Sequence, residues 1–179
     1  MEFQELAIEG LVLIKPKVFS DERGYFMEAY NQRLFHKAGI EHEFVQDNQS
    51  QSVKNCIRGL HYQVNQWQAK LVRCIEGEIF DVGVDIRPES PTYGKWCGAV
   101  LSAGNRHQLF VPEGFAHGFS VLSDTAQVLY KCSNFYSPQD ERGLMWNDPA
   151  FAIDWQIEGD PILSQKDRDY PSFENIQLT

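Results

Sequence analysis

A mainly β protein, built as a sandwich or barrel, is what this sequence predicts, on three observations. Short segments with β-type character recur at roughly ten-residue spacing, the pattern of sandwiches and barrels. Phenylalanine outnumbers methionine twelve to three and aromatics reach 13 %, which favours pleated packing over a helical bundle. Thirteen glycines and eight prolines supply the many turns such a chain needs. The 179 residues suit one domain, which buries roughly 70 % of its unfolded surface without needing staples. We read residues 1–179 as that domain, with a core over about 44–135, N-terminal strands before it and a helical and loop segment after it.

Taken in order, strands are expected over 11–18 and 25–30, where aliphatic and aromatic residues cluster. Asn31 is placed to cap a short helix over 32–38 that Gly39 ends. Further strands follow at 44–53, 57–63, 70–75, 78–86, 96–102, 108–111, 119–122 and 127–133. The cleanest alternation lies in 78–86: Phe80, Val82, Val84 and Ile86 share one face, and Ile79, Asp81, Gly83 and Asp85 share the other. The face with two aspartates either points into water or lines a polar cavity inside an open barrel. The last forty residues lose the alternation and read as short helices and loops packed onto the barrel.

Charge excludes some partners. Sixteen lysines and arginines against 25 acidic residues give −9, the wrong sign for non-specific nucleic-acid or anionic-membrane binding. A phosphorylated ligand stays open, because charges beyond about 8 Å are screened and a few local arginines outvote the total. The start, MEFQELAIEG, has no basic stretch leading into an apolar one, and no apolar run reaches the ~18 residues of a membrane span. Cys56, Cys74, Cys97 and Cys132 are scattered with no C-x-x-C pair, as expected of buried thiols in a cytoplasmic protein.

The chemistry-bearing motifs begin with Arg58-Gly59-Leu60-His61-Tyr62-Gln63, followed by Lys70. On a strand Gly59, His61 and Gln63 share a face, so the imidazole and amide project together and the small Gly59 leaves room for a ligand. Next comes Pro112-Glu113-Gly114-Phe115-Ala116-His117-Gly118-Phe119, whose P-x-G-x-x-H resembles the second signature of the cupin superfamily of small jelly-roll barrels. The first cupin signature begins H-x-H, and here His61-Tyr62-Gln63 puts an amide where the second imidazole belongs. His61, His117 and an aspartate are a conceivable metal set, but the spacing is not the metal-binding one. Asp21-Glu22-Arg23-Gly24-Tyr25-Phe26 with Glu28, and Gln46-Asp47-Asn48, offer a guanidinium fork and amides suited to phosphate and sugar hydroxyls. Asp85 to Gly94 reads as an ornate turn, and Tyr130-Lys131-Cys132, Tyr136, Glu141 and Ser164-Gln165-Lys166-Asp167 complete the series.

Together and in this order the motifs resemble the dTDP-4-dehydrorhamnose 3,5-epimerases from about Arg23 to Asp167. The resemblance implies a cupin-type jelly-roll barrel with short flanking helices, a homodimer, no cofactor and no metal. The implied reaction inverts C3 and C5 of dTDP-4-dehydro-6-deoxy-D-glucose, the carbons beside its C4 ketone. Such chemistry needs a base, a group to hold the enolate oxygen, and an acid on the opposite face. The resemblance makes His61 the base, since imidazole accepts a proton near neutral pH and such groups contribute about 10²- to 10⁴-fold. Asp167 is its orienting carboxylate, with Asp81 the competing partner on the residues alone. Lys70 faces the C4 oxyanion, and Tyr130, protonated at neutral pH as phenols are, is the acid at C5. Arg23, Glu28, Gln46, Asn48, Arg58, His117, Tyr136, Glu141 and Lys166 are implied to surround the nucleotide sugar. Arg23, Arg58 and Lys166 suit the diphosphate. The segment holding Arg23 and Glu28 is implied to reach the partner subunit's site.

Overall fold

Thirteen strands and two short helices follow one another in a computed structural model that describes all of residues 1–179. The N-terminal part holds β1 (Glu2–Glu5), β2 (Val12–Lys15), β3 (Val18–Asp21), β4 (Gly24–Met27) and α1 (Gln32–Lys37). The expected strand over 11–18 is split in two around Pro16, which has no N–H to give a ladder. The helix forms as expected: the Asn31 side chain accepts from the amides of Arg33 and Leu34, and Gly39 follows at φ +84°.

The body consists of β5 (Gln46–Val53), β6 (Ile57–Gln63), β7 (Lys70–Glu76), β8 (Glu78–Asp85), β9 (Trp96–Ser102), β10 (Gln108–Val111), β11 (Phe115–Val121) and β12 (Thr125–Cys132). Then come β13 (Glu141–Gly143) and α2 (Gln165–Asp169). One sheet has the order β1-β2-β10-β7-β12-β5, the other β13-β6-β11-β8-β9, and β3 and β4 form a separate hairpin. All pairings between these strands are antiparallel, and the two sheets face each other as in a jelly roll. β11 begins four residues earlier than expected, because the motif after Gly114 is itself strand and wholly buried.

Three apolar layers position everything else. Between the sheets, Leu11, Val72, Leu109 and Val128 meet Ile79, Leu101, Phe115 and Phe119. Outside the five-stranded sheet, Leu60, Tyr62, Phe80, Val82, Val84 and Ile86 are covered by Leu144, Phe151 and Trp155 of the C-terminal segment. Outside the six-stranded sheet, Phe35 and Ile40 cover Ile14, Leu71 and Phe110. Both faces of β8 are therefore buried. Its aspartate face points inward, and Asp81 and Asp85 are fully buried.

The two aspartates differ in role. Asp85 is saturated by the turn that follows it: the Arg87 amide, Nε and Nη2, Ser90 Oγ and Thr92 Oγ1 all donate to its carboxylate. Burial alone would raise its pKa, but these donors outweigh that and hold it down at about 2. A carboxyl depressed in the folded state adds stability above its ordinary value of about 3.9 and loses it as pH falls through the folded value. The turn should accordingly weaken between about pH 4 and pH 2. Asp85→Ala, which orphans these donors, should cost about 3 kcal/mol in urea unfolding at pH 7. That difference should shrink in acid.

Candidate active site

The interior between the sheets is apolar at one end and polar at the other. His61 on β6 projects from the five-stranded sheet, and Lys70 on β7 and Tyr130 on β12 project from the six-stranded one. All three border a cavity of about 200 Å³, with Gln46, Asn48 and Glu141 at its sides. They also border a second chamber of about 120 Å³, closed by Arg58, His117 and Phe119.

His61 Nε2 lies 2.5 Å from Asp167 Oδ1, across 106 residues of chain. Asp167 is delivered by α2, whose N-cap Ser164 accepts from the Asp167 amide. Burial would raise the Asp167 carboxyl, but the hydrogen bond and charge of His61 bring it below the ordinary carboxylate range. With Nε2–H donated to Asp167, Nδ1 is the nitrogen left to take a proton. Asp81 has a different partner: its Oδ1 lies 2.8 Å from His117 Nε2. Burial pushes the His117 pKa down, against the pull of Asp81, so this buried ring favours its neutral form.

Lys70 is almost wholly buried, and its ammonium makes no hydrogen bond or ion pair within the chain. Burial lowers its pKa, partly offset by Cys132, Asp81 and Glu141. A cation aimed into a cavity without an acceptor is a ready seat for a ligand's negatively charged oxygen. Burial raises the Tyr130 phenol, so it holds its proton firmly at neutral pH.

At the mouth, Glu141 accepts from Tyr136 Oη at 2.6 Å and from Lys166. Burial opposes ionisation of Glu141, and these two donors reverse that. Gln46 joins Asn48 and receives the Tyr136 amide, so β5 and the Tyr136 loop are tied together. Arg58 is held by Ser52 Oγ and the Gln51 carbonyl. Arg23 and Glu28 are not brought to the cavity of their own chain. Arg23 is 85 % exposed and paired with Asp21 on the β3–β4 hairpin, and Glu28 accepts from Asn31.

One expectation about a small detail is corrected. Gly59 leaves no space for a ligand: a Cβ there would come within 2.5 Å of Gly118 Cα and 2.9 Å of the His117 carbonyl. Its smallness lets β6 and β11 approach closely. Gln63 borders the same cavity as His61, as their shared strand face predicts, with its amide donating to the Gln66 and Phe135 carbonyls and accepting from the Ser137 amide. Gln68 borders the cavity from a loop whose sequence gave no sign of it. No three His, Cys, Asp or Glu side chains are placed to hold a metal ion.

A family model described as dTDP-4-dehydrorhamnose 3,5-epimerase matches residues 5–175. The dTDP-4-dehydrorhamnose 3,5-epimerase of Pseudomonas aeruginosa is 52 % identical over 174 residues, covering 97 % of this chain and 96 % of that one. The crystal structure of the dTDP-6-deoxy-D-glucose-3,5-epimerase of Legionella pneumophila, in complex with dTDP-4-keto-L-rhamnose, matches with a TM-score of 0.96 at 45 % identity. That match covers 98 % of this chain and 94 % of the other. A 3′-monoepimerase from Streptomyces bikiniensis, in complex with dTDP-quinovose, matches with a TM-score of 0.89 at 32 % identity, covering 94 % and 86 %.

The unpartnered, buried Lys70 is a stability cost to the fold. Lys70→Met, close in volume and uncharged, should raise the unfolding free energy by about 1–2 kcal/mol in denaturant titration.

Proposed function

The chain belongs to the dTDP-4-dehydrorhamnose 3,5-epimerase family, and from that premise we propose that it epimerises dTDP-4-dehydro-6-deoxy-D-glucose at C3 and C5 to give dTDP-4-dehydro-L-rhamnose. The observation that carries the mechanism is the placement of His61 and Tyr130 on opposing sheets across one cavity. Inversion requires a proton to leave one face of a carbon and return to the other, and opposed walls provide both faces.

His61 Nδ1 takes the proton from the carbon beside the C4 ketone, and the C–H electron pair moves into an enolate with its charge on O4. Lys70 stabilises that oxygen; a preorganised donor in such a place is worth roughly 3–4 kcal/mol. Asp167 holds the imidazole in one tautomer and stabilises the imidazolium, the part an aspartate plays in hydrolase triads. Tyr130 returns a proton to C5 from the far side. Inversion at C5 leaves the sugar with no net change of protons, and the His61 imidazolium and Tyr130 phenolate return to their starting forms by proton exchange with solvent. At C3 the same base takes the proton and water returns one to the opposite face.

Arg58, Gln46, Asn48, His117, Tyr136, Glu141 and Lys166 are proposed to hold the rest of the nucleotide sugar. The mouth charges Glu141 and Lys166 are paired, so a diphosphate has to compete for Lys166. Arg23 and Glu28 belong in this reading to a partner's site. The β3–β4 hairpin stands outside both sheets with Phe19, Tyr25 and Phe26 exposed, which suits insertion into a second copy in a homodimer. The four cysteines are unpaired, as suits a cytoplasmic enzyme.

Incubated with the 4-keto sugar nucleotide in heavy water, the protein should wash deuterium into both C3 and C5. Label at C3 alone would instead place it with single-site epimerases such as the Streptomyces relative. His61→Ala should abolish exchange at both carbons while dTDP affinity stays within about threefold, since a general base contributes about 10²-fold or more to the chemical step. Turnover retained in that variant would show the base to be another group. Tyr130→Phe should slow inversion at C5 more than at C3, read by position-resolved NMR; equal losses would contradict its assignment.

A further inference from the structure

The His61 imidazole has a second neighbour besides Asp167, one that the mechanism above does not use. The Tyr170 ring meets it edge-on, with centroids 5.6 Å apart and planes at 68°. Tyr170 is the C-cap of α2, the helix that carries Asp167. Its ring occupies a slot that exists because residue 143 is glycine: a Cβ on Gly143 would come to 2.5 Å from Tyr170 Cδ2 and Cζ. Gly143 in turn is the β13 residue in register with His61 on β6. A bare α-carbon on one strand, a ring from the end of a helix and the imidazole on the next strand thus form a single packed stack.

The stack supplies a restraint that the local chain cannot. α2 has five residues, far below the ~12–15 at which a helix holds itself in water. The Ile162 backbone, two residues before the Ser164 cap, is bonded to Ile57 and Asn55, and the Met145 amide donates to the Pro171 carbonyl, so the chain is tied down on both sides of α2. Neither touches His61. The Tyr170 hydroxyl is buried with no hydrogen-bond partner, so the contact made by this residue is made by its ring.

We propose that Tyr170 is a positioning residue for the reaction: its ring, seated on Gly143, sets the plane of the His61 imidazole and the approach of Asp167 to it. The inference rests on the reading of His61 as the base. A loosened imidazole loses alignment with the C–H bond, and a misplacement of about 1 Å costs on the order of 10²-fold.

Tyr170→Leu removes the ring and leaves an apolar side chain in the slot. Expected are a kcat lower by about 10- to 100-fold, with KM and dTDP affinity within about threefold. The primary isotope effect with C3- and C5-deuterated substrate should also rise, because proton abstraction becomes slower than the steps around it. Activity is expressed per dTDP-binding site measured by calorimetry, so that loss of folded protein is not read as loss of rate. Tyr170→Phe, which restores the ring, should recover kcat to within about threefold of the parent. The proposal is overturned if the Leu variant turns over like the parent or if the Phe variant loses as much as the Leu variant. It is overturned equally if the isotope effect stays put while kcat per site falls. His61→Ala, run alongside, separates the two levels. Exchange persisting there defeats the reading of the base, whereas an inactive His61→Ala beside a fully active Tyr170→Leu defeats the role of Tyr170 alone.

Discussion

The hydrogen bond between His61 and Asp167 is the contact around which the rest of the architecture is arranged. It joins β6, second from one edge of the five-stranded sheet, to a helix near the C-terminus. For that helix to arrive, the C-terminal segment has to cross the outside of the sheet, and the apolar residues there give it a path. Leu144, Phe151 and Trp155 cover Phe80, Val82, Val84 and Ile86, and Tyr62 Oη donates to the Gln177 carbonyl. Burying those large side chains stabilises the fold by about 1.5–3 kcal/mol each, enough to tie down a segment with little regular structure. The outer layer is thus what brings the inner dyad together.

The second organising fact is the division of the interior. Where both sheets contribute aliphatic and phenylalanine side chains, the space between them is filled. Toward the other end lie Lys70, Tyr130, His61, Asp81 and His117, and there the space is open. Paired groups sit behind and one cation stands alone in front. His117 is bonded to Asp81 Oδ1, while Lys70 has only the cavity to face. Charges held in a low-dielectric enclosure act far more strongly on a ligand than they would in water, and their arrangement is fixed before the ligand arrives.

Much of this was legible in the residues. β6, β9 and β10 begin and end where alternation and flanking turns place them, and the capped helix is recognised from Asn31 and Gly39. β1 and β13 escape notice because four and three residues give no periodicity to detect. The β8 pattern could not say which face is wet, since alternation reports that two faces differ and both are buried here. For the site, the cluster around His61 is visible as a motif, but its partner is not. Asp81 and Asp167 are equally plausible carboxylates from composition, and only the resemblance, then the geometry, separates them. Tyr170 and Gln68 carry no local signal at all, because each matters through what the fold places beside it.

The brevity of α2 has a consequence for how activity is gained and lost. Five residues anchored by a serine cap have no stability of their own, so Asp167 is delivered only when the whole wrapping segment is docked. Fraying of that last segment takes the carboxylate away from the imidazole. In the proposed reaction, competence on refolding therefore waits for that segment to dock.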